Sequence, residues 1–146
     1  MPGGLIKFTK SVLTILKKFK TANAICRYQR KTLIMTLFPC PYLASNVELT
    51  DERELHIANH HPDLLPAYRQ YIADTLADPD QVRRSVRFGN ARLFTRWFES
   101  LRRGKYVVVV VVSDSAYSTK QQRHWIITSY IARKLAKGEN IEWERI

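Results

Sequence analysis

The chain has 146 residues, 45% hydrophobic and 25% charged. That composition excludes a disordered or collagen-like chain, and the length suffices to bury one core without disulfides or a structural metal. The charge, +11, is unevenly placed: eight basic and one acidic side chains in residues 1–50, two and seven in 51–82, fourteen and five in 83–146. A basic surface concentrates polyanions, so nucleic acid or an anionic membrane is the natural partner, and nucleic acid is favoured because the later excess falls in predicted strands.

Residues 1–46 read as a basic extension of uncertain structure, and residues 47–146 as the domain. Within the extension, Leu5–Lys20 has the pattern of a basic amphipathic helix. At about 100° per residue, Leu5, Phe8, Val12, Ile15, Leu16 and Phe19 share one side and four lysines the other. Such a helix could lie on a membrane, on a partner or on the domain itself. The apolar run Thr32–Ala44 is too short to span a bilayer, and its prolines and late start argue against secretion. Cys26 and Cys40 form no CxxC pair, so two reduced thiols and a cytoplasmic location are expected.

Val47–Thr50 reads as a short strand leading into a helix. Thr50 or Asp51 is a fit N-cap, and Pro62 ends or bends the helix after His61. A second helix is predicted from about Asp63 to Ala77, closed by Asp78-Pro79-Asp80. Three histidines, His56, His60 and His61, stand within six residues. Proton transfer near neutral pH is one role for such a cluster, and His-x-x-x-His zinc binding is another. The HExxH glutamate is missing and no third ligand is apparent, so no metal site is predicted; on residue type alone, helix capping or core packing is the favoured explanation for any single histidine.

Four strands follow. Val82–Phe88 is joined to Ala91–Leu101 by a predicted two-residue Gly89-Asn90 hairpin. Alternation in the second of these places Leu93, Thr95, Trp97 and Leu101 on a core face and Arg92, Phe94, Arg96 and Phe98 on the other. Cations interleaved with aromatics suit RNA, where guanidinium meets phosphate and rings stack on unpaired bases, although the rings could equally pack under a loop. Tyr106–Val112 lacks alternation and is expected centrally, covered on both faces. In Arg123–Ala132, strict alternation would align His124, Ile126, Thr128 and Tyr130 on one face. The tail adds a short strand at Ile141–Trp143, or none.

The order of these motifs carries a resemblance. Val47-x-Leu-Thr-x-Glu-Arg with His56-Ile57 and His61-Pro62-Asp63-Leu64, then Thr75-Leu76-x-x-Pro79-Asp80-x-Val82, then a strand with Arg96, a valine strand after Lys105, and Ile127-Thr128-Ser129-Tyr130 together resemble the phage-borne branch of the barnase–EndoU–colicin–RelE-like nucleases. The resemblance covers about Val47–Trp143. It implies an α+β fold of two short helices followed by a four-stranded antiparallel sheet, here with an extra N-terminal basic helix. It also implies metal-independent RNA cleavage by attack of the ribose 2′-OH on the adjacent phosphate, with no cofactor. Position by position, His56 and His61 match the family's histidine motif, Arg96 its strand cation, and Thr128 and Tyr130 its last strand motif; Ser129 stands where alanine is usual.

The chemistry then requires a base, an acid and cations around the phosphorane. His56 and His61 are the candidate base and acid, Arg96 the stabilising cation and Thr128 a phosphate-orienting hydroxyl. Arg92, Phe94, Phe98, Lys105, His124 and Tyr130 are candidate RNA contacts. No glutamate base is apparent in the predicted strands. The alternatives are a non-catalytic nucleic-acid-binding module, or a phage accessory or structural protein docking through its N-terminal helix.

Overall fold

The computed structural model describes residues 34–115, 121–137 and 140–146. The predicted Leu5–Lys20 helix and Cys26 lie outside the described residues. The chain divides into two units, residues 1–34 and 35–146, and every element described here belongs to the second.

Thr36–Cys40 (β1) and Ser45–Leu49 (β2) form an antiparallel hairpin that starts before Val47 and includes it. Its connection is a 3-10 turn, Pro41–Leu43, closed by Ala44 in the left-handed region at φ 50°. Asp51–His60 (α1) starts as the sequence suggests: the Thr50 side chain accepts from the Arg53 amide at 3.3 Å, and three acids occupy its first turn, where they meet the positive end of the dipole. The second helix is shorter than predicted, Arg69–Ala77 (α2). Pro66 explains this, because a proline in the interior removes an amide donor and clashes with the preceding turn; residues 62–68 instead form successive turns.

Gln81–Arg84 (β3), Ala91–Phe98 (β4), Lys105–Ser115 (β5), Gln122–Ala132 (β6) and Asn140–Glu144 (β7) complete the sheet. β3 ends short of the predicted Phe88. Ser85 Oγ accepts from the amides of Arg87 and Phe88, at 3.2 and 3.3 Å, and this local bond diverts the chain into a longer loop than the predicted Gly89-Asn90 turn.

The expected four-stranded antiparallel sheet is corrected. Seven strands lie in the order β1-β2-β6-β5-β4-β3-β7, and the sheet is mixed, because β2 runs parallel to β6. The sequence reading missed β1 because its apolar run resembled a processing segment, and it left β7 open because two apolar residues around one glutamate are too short a pattern. β5 sits between β4 and β6, as its uninterrupted valines require.

One face of the sheet carries both helices. Phe94, Val107, Val109, Val111 and Ile126 pack there with Ile57 of α1 and Ile72 and Leu76 of α2. Phe94 is fully buried, which reverses the predicted faces of β4: Arg92, Phe94, Arg96 and Phe98 point toward the helices, while Leu93 joins Ala91, Val108 and Val110 on the opposite side. Alternation shows that two sets of residues separate; it does not say which set meets the larger core.

Two bulges reset the alternation elsewhere. Between β5 and β6, Val110 opposes Thr128 and Val111 opposes Ile126, so Ile127 is an extra residue. An extra residue shifts the phase by one, leaving His124 and Ile126 on the helix-bearing face and sending Thr128 and Tyr130 to the other. Between β3 and β7, Val82 opposes Trp143 and Arg83 opposes Ile141, which makes Glu142 the extra residue. The sheet also curls: Tyr42, in the hairpin turn at one end of the strand order, donates to Glu142 at the other end at 3.2 Å.

Candidate active site

The helix-bearing face is divided. Its centre and one half are apolar and covered by α1 and α2. Toward the ends of β5 and β6 where Ser113 pairs with His124, the same face turns polar and is walled by Leu43 and Ser45 of the β1–β2 hairpin. Here a groove of about 680 Å³ is lined by Leu43, Ser45, Ser115, Gln121, Gln122 and His124.

The same half-face carries a carboxylate held by two guanidiniums and a phenol. Glu142 Oε1 receives Arg84 through Nη2 at 2.5 Å and Nε at 2.6 Å; Oε2 receives Arg92 Nε at 2.7 Å and the Tyr42 hydroxyl. The placement follows from register. Arg84 and Arg92 are direct partners across β3 and β4, and the bulge in β7 aims Glu142 at them. Tyr42 is fixed by ring contacts with Phe94 at 5.8 Å and Trp143 at 6.3 Å. The Arg92 side chain is 24% exposed and that of Glu142 19%, so the pair is shielded without being sealed from water.

His124 is on the same face, two strands from Arg92. Arg92 opposes Val111 on β5, and His124 opposes Ser113, two residues along that strand on the same side. Neighbouring strands lie about 4.8 Å apart, so the β4 and β6 backbones are separated by roughly 10 Å, with β5 between them. His124 is 3% exposed and forms part of the groove wall. Ser113 Oγ sits 2.6 Å from its Nδ1, which fixes the ring and leaves Nε2 for another partner.

These groups shift one another's acidity. Burial, then the Arg92 charge, push the His124 pKa below the ordinary imidazole value, with Glu48 opposing. Burial pushes the Glu142 carboxyl up, but the hydrogen bonds from Arg92 and Arg84 outweigh it and hold the group below its ordinary range. Burial and the Glu142 charge push the Tyr42 phenol up, so it keeps its proton as a donor. The polar half of this face therefore offers an ionised carboxylate, a largely neutral imidazole and two permanent cations.

The other residues singled out in the sequence fall into separate places. His56 is exposed and stacks on His60, with ring centroids 4.1 Å apart, while His60 Nδ1 lies 2.9 Å from the His56 carbonyl. His61 follows α1, half-buried, its ring 5.9 Å from that of Tyr130. Thr128 shares the strand face of Tyr130, beyond the bulge. Arg96 closes the end of α2: its Nη1 donates to the carbonyls of Asp74 and Asp78 at 3.2 Å, its charge meets the Asp78 carboxylate at 3.4 Å, and its guanidinium covers Phe98. Phe98 packs edge-on against Tyr71, Phe94 is core, and Lys105 Nζ donates to the carbonyls of Arg102 and Gly104. Of the ten predicted residues, the polar cluster contains Arg92 and His124 alone. Tyr42, Arg84, Ser113 and Glu142 were missed. The signal that could have found Glu142 is its position as the lone acid in Ile141-Glu142-Trp143, flanked by apolar residues.

No protein family matches this chain, and no curated protein or solved structure is similar to it. The nuclease resemblance stands on motif order alone. Among the described residues, no helix is long and apolar enough to cross a membrane, and no three His, Cys, Asp or Glu side chains converge as metal ligands.

Proposed function

We propose that the protein is a ribonuclease that cleaves RNA through the ribose 2′-OH, with its active site at Glu142, Arg84, Arg92 and His124 rather than at the helix histidines. The observation that carries this reading is a carboxylate gripped by two guanidiniums on the same half-face of the sheet as a buried imidazole that the Arg92 charge reaches. Glu142, held ionised, takes the 2′-OH proton. The 2′-oxygen then attacks phosphorus, and Arg84 and Arg92, released from the carboxylate as it gains that proton, take the charge developing on the phosphorane oxygens. His124 Nε2 delivers a proton to the departing 5′-oxygen. The products are a 2′,3′-cyclic phosphate and a free 5′-hydroxyl.

His124 needs that proton at the moment of reaction, yet Arg92 discourages it. A bound phosphodiester removes the conflict, because its negative charge pairs with Arg92 and favours the imidazolium. Substrate would thus arm its own acid.

Incubating the full chain with RNA in EDTA should yield fragments ending in 2′,3′-cyclic phosphate. Glu142→Gln should abolish them with the thermal transition retained, and His124→Ala should do the same. Intact RNA across single-stranded, duplex and structured substrates would overturn the reading.

A further inference from the structure

The loop between β3 and β4 has a feature that the ion network does not explain. Val86 and Phe88 stand 65% and 59% exposed at its tip. Arg87 between them is exposed, and its side chain makes no hydrogen bond or ion pair among the described residues. The tip is nonetheless ordered by its own bonds. Ser85 Oγ holds the amides of Arg87 and Phe88, the Ala91 amide donates to the Phe88 carbonyl at 2.9 Å, and the Ser85 amide donates to Ala91 at 3.0 Å. It is also tied to the candidate active site, because Arg84 Nη1 donates to the Gly89 carbonyl at 3.3 Å while the same side chain holds Glu142.

We infer that this tip is a base-stacking lip, in which Phe88 receives an unpaired base next to the phosphate held at Arg84 and Arg92, and Arg87 takes a neighbouring phosphate. The inference rests on the ribonuclease reading and adds a substrate class, single-stranded RNA. An aromatic ring left mostly exposed on a hydrogen-bonded turn gives up little of its own burial by stacking. In water it gains by covering a base, and every base offers a π-face. The adjoining guanidiniums supply the charge complementarity that an isolated exposed phenylalanine lacks. A base inside a duplex already has both faces covered by its neighbours and cannot reach the ring. The lip therefore selects against paired RNA without reading sequence.

The test uses oligoribonucleotides carrying 2′-O-methyl sugars, which lack the nucleophile and cannot be cut, so that binding is read alone by fluorescence anisotropy. The full chain and its Phe88→Ala and Phe88→Trp variants are titrated with a single strand, with its duplex, and with a strand bearing abasic sites. Removing one base stack should weaken single-strand binding roughly 5- to 100-fold in Phe88→Ala, leave the duplex and abasic strands within about twofold, and be rescued by Phe88→Trp. Equal weakening on all three ligands, or none on the single strand, overturns the lip. Cleavage of unmodified RNA is measured beside it: cleavage with no Phe88 dependence sinks the lip and keeps the nuclease, and binding to none of the three sinks both.

Discussion

The contrast between the α1 histidines and the polar end of the sheet separates residue density from spatial convergence. His56, His60 and His61 are the densest titratable cluster in the sequence, but α1 sends them apart: two stack on the exposed face, and the third turns toward Tyr130. Glu142, Arg84, Arg92, Ser113, His124 and Tyr42 come from six different segments and appear in the sequence as unrelated single residues, yet strand register gathers them on one half-face. A helix can align two residues four apart. A sheet can align residues a hundred apart, and a reading along the chain does not see it.

The sharpest way to break this contrast is to remove each side's proton-transfer group. Glu142→Gln should lower kcat/KM by roughly 10²- to 10⁴-fold, the usual worth of a positioned acid or base. His124→Ala should fall in the same range, whereas His56→Ala should stay within about twofold; a large loss in His56→Ala with an active Glu142→Gln would move the site back to the helix. Next in size is the core between the two regions. Phe94 is fully buried under Tyr42, so Phe94→Ala should cost about 3–5 kcal/mol in denaturant unfolding. An exposed, RNA-stacking Phe94 would cost almost nothing.

The pH dependence sharpens the comparison further. On the ribonuclease reading, kcat/KM should rise as Glu142 loses its proton and fall as His124 loses its own, and both groups are held below their ordinary values. The optimum should therefore lie on the acid side of neutrality. Arg92→Gln should move both limbs alkaline, besides lowering the rate, because Arg92 depresses both groups; an exposed His56 acting as the acid would ignore Arg92. The same shifts link to stability. The folded state binds these protons less readily than the unfolded chain, so their contribution is present above the ordinary imidazole and carboxylate values and lost as pH falls through the depressed folded ones. The unfolding midpoint should drop steadily on acidification below about pH 6.5, and less steeply in Glu142→Gln. The smallest effect is at Arg96. It satisfies carbonyls at the end of α2 from a partly exposed position, so Arg96→Ala should cost about 1 kcal/mol of stability and leave kcat/KM unchanged.

Much of the framework was legible because it depends on local rules. Thr50 caps α1, Pro62 ends it, and the valines of β5 demand a central place; each needs only its own neighbours in sequence. The errors arise where the structure depends on something distant or on a single extra residue. The bulge at Ile127 reverses the side of Thr128 and Tyr130, and no pattern in Trp125–Tyr130 marks it. The faces of β4 were inverted because Arg92 and Arg96 made one side look solvent-exposed. In the fold these two cations are consumed by Glu142 and by the end of α2, partners that lie fifty residues later and about twenty residues earlier in the chain.

The bulged strand that carries Glu142 is also the outermost of its end of the sheet, bonded to β3 on one side. Edge strands open locally at a cost below that of global unfolding. On the ribonuclease reading, the fraction of molecules ready to react should follow the docking of this edge rather than the core that stabilises the domain, with the Tyr42 hydroxyl bond to Glu142 helping to hold it. Amide exchange at Ile141 and Trp143 should run ahead of exchange in β5 and quicken in Tyr42→Phe. Equal protection along both strands would show the edge and the core opening as one.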